Sequence, residues 1–367
     1  MGDHQSQEPV EEAHPRATQA ETQAPDHPLE VDDNPHEEDS SYGDSEATSS
    51  YLSSLKSSVF NYKYEASQNG RRYHAFREGA YLVPNDDEEQ DRMDLAHHIY
   101  RLLIGGKLHL APIGDSPQRV LDLGTGTGIW AMDFADEYPS ADVRGTDLSP
   151  IQPKWSEKPA ERQTDTNAEH RTPPNCSFEV DDFEADWLYR HPFDFIHGRE
   201  LEGCLSNDKK LFQQAFKHLS PGGYIELQAA YPPLKSDDDT GDKAADFHKW
   251  VNTICDASAK FGKPLTCAPE WKAKLEEVGF VDVHQEIRKV PMGPWPKDPK
   301  LKEIGKFQAV QEAQVIDSYT PGLFGRVLGW SEEEIQVFIA KVKRDLKDPT
   351  IHLYQQLYFI WGRKPEV

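Results

Sequence analysis

The sequence predicts an α/β fold, a largely parallel sheet with helices on both faces. Three observations carry this. Short apolar strands alternate with helical stretches from Val120 to Gln228, the pattern of a buried parallel sheet. A glycine-rich turn, Gly124-Thr125-Gly126-Thr127-Gly128, separates the first strand from its helix. An acid, Asp147, ends the second strand about twenty residues later, the spacing at which a carboxylate can take ribose hydroxyls.

The chain has 367 residues, 64 Asp and Glu against 40 Lys and Arg, and a net charge of −24. Residues 1–50 hold 14 acids and one base, Arg16, a net of −13 that leaves −11 for the rest. A stretch so acidic and so poor in large apolar residues cannot bury enough surface to offset its ordering entropy. It predicts a disordered acidic tail over 1–58. Residues 59–110 follow as an aromatic-rich arm and a leading helix, and 111–367 as the main domain. The overall acidity excludes tight non-specific nucleic-acid binding, which needs clustered Lys and Arg. No apolar run is long enough to span a bilayer, and the start lacks a signal-peptide core. Cys176, Cys204, Cys255 and Cys267 are scattered. That spacing fits reduced thiols rather than a disulfide framework or a metal site, so no metal is expected. A cytoplasmic or nuclear protein with no membrane contact follows.

The elements run in order. Asn85 and Glu88 read as a capping box for a helix from Asp86 to about Ile104, with Met93, Ala96, Ile99 and Leu103 on its buried face. Val120–Leu123 is the first strand, and Ile129–Tyr138 the first helix after it. Asp142–Asp147 and Cys176–Val180 are the second and third strands, separated by a polar, proline-bearing loop. Phe193–His197 is the fourth, with Gly198-Arg199-Glu200 at its end. Leu211–Leu219 is helical, and Pro221-Gly222-Gly223 turns into the fifth strand, Tyr224–Gln228. Helices are expected at Ala244–Phe261, Glu270–Val278, Leu301–Val315 and Ser331–Leu346, the last with a Ser331/Glu334 capping box. Phe280–Val290 and Ile351–Trp361 read as two late strands, an antiparallel edge pair with a helical lid insertion over about 295–348.

The loop needs a ligand. A dinucleotide fingerprint is G-x-G-x-x-G, whereas here the glycines alternate and Asp122 stands two residues before the first. The stretch VLDLGTGTGIW resembles motif I of class I S-adenosylmethionine (SAM) methyltransferases, with a dinucleotide as the alternative. The resemblance implies that Gly124, Thr125, Gly126 and Gly128 back the amino-acid end of SAM. It implies that Asp122 orients the ammonium group and that Asp147, followed by Leu148, holds the ribose. Asp182 and Phe183, after the third strand, suit the adenine: a carboxylate for the exocyclic amine and a ring against the base. Tyr81 is placed to close over the cofactor, or to serve as a core aromatic.

With YHAFREGAYLVPNDDEEQDRMDLAHHIY, FDFIHGREL and LSPGGYIELQ added, the chain resembles the fungal LaeA-like methyltransferases from about Tyr73 to Tyr231. This implies a Rossmann-like seven-stranded sheet of order 3-2-1-4-5-7-6. Residues 156–172 are an insertion relative to that pattern.

Methyl transfer from a sulfonium is an in-line displacement, so alignment matters more than a fixed triad. His197, at the carboxyl end of a central strand, is the candidate catalytic base, with a structural histidine as the plainer alternative. Arg199 and Glu200 are expected to pair with each other, and His97 and His98 to point in different directions. Glu226 is expected near the sheet and in need of a partner. Two functions follow. One is a methyltransferase acting on a small-molecule methyl acceptor of fungal secondary metabolism. The other is a LaeA-like SAM-binding regulator that acts through a protein partner. A protein methyltransferase is a third, which would need an open charged groove.

Overall fold

The computed structural model describes residues 27–32, 71–74, 77, 81–153 and 172–366. Most of the expected tail and arm, and the 156–172 insertion except Thr172, lie outside these. The insertion's two ends meet: the Thr172 hydroxyl donates to the Pro153 carbonyl at 3.1 Å.

Seven strands form one sheet of order β3-β2-β1-β4-β5-β7-β6. They are β1 (Arg119–Leu123), β2 (Asp142–Asp147), β3 (Cys176–Val180), β4 (Phe193–Arg199), β5 (Leu219–Lys235), β6 (Val281–Pro291) and β7 (Tyr354–Arg363). The pairs from β3 to β5 are parallel, and β7 lies antiparallel between β5 and β6. The order and the edge pair expected from the sequence are both present. β5 is much longer than expected, because Leu219 already pairs with Phe193 and its far end runs beside β7 to Lys235.

Alternation along β1 explains the layering. Leu121 and Leu123 face a core built with Phe212 and Trp271 from the helices Asp208–His218 and Ala268–Val278. Val120 faces the opposite core with Trp130 and Phe134 of the helix Ile129–Glu137. Asp122 shares that second face, in register with His197 on β4, which is in turn in register with Glu226 on β5. Glu226 has no exposed surface. Its carboxylate accepts from the backbone N–H groups of Leu110 and Ala111 and from the Gln228 amide, so it anchors the segment leading into β1. The partner that the sequence demanded for Glu226 is thus backbone.

Helix α1 (Asp87–Leu103) begins one residue later than expected. Asp86 is its cap, accepting from Glu89 N, while the Asn85 amide donates to Ser149 Oγ. The Asn85/Glu88 box does not form, because Arg71 fixes Asp86 in the capping position. The Ser331/Glu334 box does form.

The lid has its own core. Phe247, Trp250 and Ile254 of the helix Ala245–Phe261 pack with Ile316 of Pro299–Thr320 and with Phe338 and Val342 of Glu332–Leu346. The helix at Pro299 continues five residues beyond its expected end and then widens over Pro321–Val327. Residues 27–32, within the stretch expected to be disordered, are seated on the chain near the start of the lid. Val31 bridges Pro296, Lys297 N donates to Glu30 O at 2.8 Å, and Lys289 Nζ donates to His27 O at 2.8 Å. Local backbone pairing and basic partners hold these six residues. No helix among the described residues is long and apolar enough to cross a membrane.

Candidate active site

The first glycine loop follows β1 directly. Gly124, Gly126 and Gly128 have φ of +61°, +57° and +83°, a region that side chains other than glycine seldom adopt. A Cβ on Gly124 would lie 2.9 Å from Leu201 and 3.4 Å from the Phe183 ring. The bare backbone therefore keeps open a cavity of about 1240 Å3, open mouth included. Tyr81, Asp122, Gly124, Thr125, Gly126, Asp147, Leu148, Asp182, Phe183 and His197 all line it. Gly128 does not. A Cβ there would meet the Phe178 ring at 2.5 Å, so Gly128 permits close packing against β3.

The carboxylates are held by the loop itself. Asp147 Oδ2 accepts from Gly126 N at 2.9 Å, and Oδ1 from Ser149 N at 2.8 Å. Burial pushes its carboxyl up to about 6 in spite of these bonds. Asp122 accepts from the Thr125 hydroxyl at 2.5 Å and meets His197 Nδ1 at 2.7 Å. The His197 ring has no exposed surface and stacks on Trp130 with centroids 3.7 Å apart. Burial lowers its pKa. The neutral ring donates from Nδ1, and Nε2 is buried without a hydrogen-bond partner among the described residues. A base must reach the acceptor's proton; here Nδ1 is engaged by Asp122 and the ring has no exposed surface. Asp182 accepts from Glu184 N, with Arg77 3.5 Å away.

One wall of the site was not legible as a motif. From α1, Arg92 bonds Glu89 at 2.7 Å and reaches Glu200 at 3.5 Å. Asp94 accepts from the Thr127 hydroxyl at 2.6 Å and ties the helix to the loop. The sequence-based expectation that Arg199 pairs with Glu200 is corrected. The Arg199 guanidinium donates to His97 Nδ1 at 3.1 Å and lies 5.2 Å from the Tyr100 ring centre. Glu200, at φ +52°, turns the other way. His97 is pushed down to about 4 by burial, so it is neutral: Nδ1 accepts from Arg199 and Nε2–H donates to Asp133 at 3.1 Å. His98 packs edge-on against Phe307, so the two histidines do diverge. The i, i+3 spacing of Glu89 and Arg92 is the sequence feature that allows their pairing.

A second cavity of about 670 Å3, mouth included, lies under the lid. Its sides are largely apolar, with Ile99, Trp250, Val251, Ile254, Leu265 and Val315. Arg92, Ala96, Glu200 and Tyr319 line both cavities and form their common wall. No cluster of three or more metal-ligating side chains occurs among the described residues.

A family model described as a methyltransferase domain matches residues 95–285. The chain is 38% identical over 319 residues to "Methyltransferase pytC" of Aspergillus terreus, covering 87% of this chain and 93% of that one. It is 33% identical over 306 residues to "Secondary metabolism regulator LAE1" of Cochliobolus heterostrophus, covering 82% and 94%. To "Protein-methionine methyltransferase laeA" of Emericella nidulans it is 33% identical over 303 residues, covering 81% and 76%. Among solved structures, a Haemonchus contortus phosphoethanolamine N-methyltransferase 2 bound to SAM aligns with a TM-score of 0.39 and 18% identity, over 69% of this chain and 50% of that one. The glycine cradle, the acid ending β2 and the open space beside them fit SAM, and SAM is the cofactor. The chain belongs to the LaeA-like class I SAM-dependent methyltransferases.

Proposed function

We propose that the protein methylates a small, largely apolar molecule bound under the lid. The observation that carries this is the common wall: a cofactor-sized cavity and a mostly apolar, lid-covered cavity meet at Arg92, Ala96, Glu200 and Tyr319. SAM, when bound, supplies a methyl group on a good leaving group, so the protein's task is alignment and exclusion of water.

In this reading Asp147 accepts from the ribose hydroxyls, and Gly124, Thr125 and Gly126 back the amino-acid end. Asp122 uses its remaining lone pairs for the ammonium group, and His197 is a positioning residue that holds Asp122. Leu148, Asp182 and Phe183 take the adenine, and Tyr81 closes the mouth. The likeness to proteins named as secondary metabolism regulators supports an acceptor from secondary metabolism. The same likeness supports a second reading, a SAM-binding regulator with a protein partner. Four free cysteines support a reducing compartment, cytoplasm or nucleus.

Methyl-labelled SAM added to the full-length protein in an extract of the source cells tests the choice. Label in the organic-soluble fraction, lost with Asp147→Ala, is the expected result. Label fixed on protein, or tight SAM binding with no transfer, contradicts a small-molecule enzyme.

A further inference from the structure

The cavity under the lid carries polar groups that neither the fold nor the cofactor uses. Glu202, just after β4, is 6% exposed. Its Oε1 accepts from Ala230 N at 2.8 Å, and its Oε2 has no hydrogen-bond partner among the described residues. The Tyr100 hydroxyl, supplied by α1, is likewise buried and has no hydrogen-bond partner among the described residues. Both residues line this cavity. An unpaired buried polar atom costs free energy, and two in one cavity mark a place where a ligand's polar group completes the bonding.

The charges say which polar group. Glu200, Glu202 and Glu312 line the cavity, and Arg92 is its one cationic side chain. Arg92 is already taken by Glu89 and Glu200. Glu312, on the lid helix, accepts from the Gln308 amide at 3.3 Å and has no other side-chain hydrogen bond among the described residues. Among the described residues neither Glu202 nor Glu312 is in a direct ion pair, Arg92 acts on both only from a distance, and burial raises both carboxyls, to about 8 and about 7. A buried carboxylate is stabilised by a positive charge brought to it, and aromatic rings at Tyr100, Trp250 and Tyr319 suit the same kind of ligand.

We propose that the lid cavity selects an acceptor bearing a basic nitrogen on an apolar, ring-containing body, the nitrogen donating to Glu202 Oε2 and lying beside the Tyr100 hydroxyl. This rests on the methyltransferase reading above. It concerns which molecule is held; the atom that receives the methyl group is a separate matter.

Matched probes test it. Tryptamine with 3-propylindole, and 2-phenylethylamine with propylbenzene, are titrated by ligand-observed NMR into the full-length protein saturated with S-adenosylhomocysteine. The amine of at least one pair binds saturably and at least tenfold more tightly than its neutral partner. Glu202→Gln removes that preference while S-adenosylhomocysteine binds as in the wild type, which shows the fold and cofactor site to be intact. Equal binding of the neutral partner, a preference that survives Glu202→Gln, or no saturable amine binding would each overturn the proposal. Loss of S-adenosylhomocysteine binding in the wild type would instead overturn the cofactor assignment.

Discussion

The two halves of the site are built in opposite ways. The cofactor half is mostly backbone: three glycines at positive φ, and an Asp147 carboxylate that accepts from the N–H groups of Gly126 in the glycine loop and of Ser149. The lid half is side chains, drawn from α1, the turn after β4 and a helix more than two hundred residues further on. A backbone site at the carboxyl ends of interior strands tolerates change around it. A site assembled from distant side chains depends on the lid's own core, which is separate from the cores that flank β1.

The strongest way to break that separation is Gly305→Ala. A Cβ there would lie 2.0 Å from the Gly293 carbonyl oxygen, so the lid helix must move. The cost is about 3 kcal/mol, read as a drop in Tm. If the halves are independent, S-adenosylhomocysteine affinity of the folded variant stays within a few-fold of wild type in calorimetry. A parallel collapse of affinity would make the lid part of the cofactor site.

Asp147→Ala probes the other half. Loss of charged hydrogen bonds should weaken SAM binding by roughly 1.5–3 kcal/mol, with little change in Tm. Unchanged affinity would assign the ribose to another residue.

Glu202→Gln sharpens the electrostatic side. Burial, then the nearby Glu200, hold the Glu202 carboxyl at about 8 against an ordinary 4.5. Below the ordinary value both folded and unfolded chains are protonated. Between the two values only the unfolded chain releases its proton, so stability is lost as pH rises through that window. Gln has no proton to release. From pH 5 to pH 8.5 the variant should lose less stability than wild type, by on the order of 2 kcal/mol, measured by urea unfolding. Glu226 and Glu312, each about 7, contribute the same sign and remain in both proteins. An identical pH dependence would place Glu202 in contact with solvent.

The smallest effect concerns the seated N-terminal residues. Removing 1–26 should leave Tm unchanged. Removing 1–33 should cost about 1 kcal/mol, because the Val31–Pro296 bridge and the Lys289 and Lys297 contacts are lost. Equal Tm values for the two truncations would show that 27–32 contribute no stability.

The cofactor half was legible because its determinants are contiguous. Strand, glycines, helix and terminal acid fall within Val120–Asp147, and their spacing alone sets the geometry. At Gly128 the spacing does not show the close approach of the Phe178 ring, which comes from β3 more than forty residues on. The lid half could not be read. Glu202 and Glu312 belong to no motif, Tyr100 only closes a stretch of family resemblance with no role attached, and their meeting depends on how the lid helices cross α1. Arg199 and Glu200 are adjacent and opposite in charge, yet the positive φ at Glu200 sends them to different partners. In the N-terminal tail, averaging composition over fifty-eight residues hides Leu29 and Val31, two apolar positions beside a backbone bridge.

The most direct measurement sets the two halves side by side: SAM affinity and methyl transfer in Asp147→Ala and Glu202→Gln. The account predicts that Asp147→Ala loses SAM affinity. It predicts that Glu202→Gln keeps that affinity within a few-fold and loses transfer to the organic-soluble fraction of the extract. If Glu202→Gln weakens SAM binding as much as Asp147→Ala, or transfers methyl at the wild-type rate, the cavity under the lid is not where the acceptor binds.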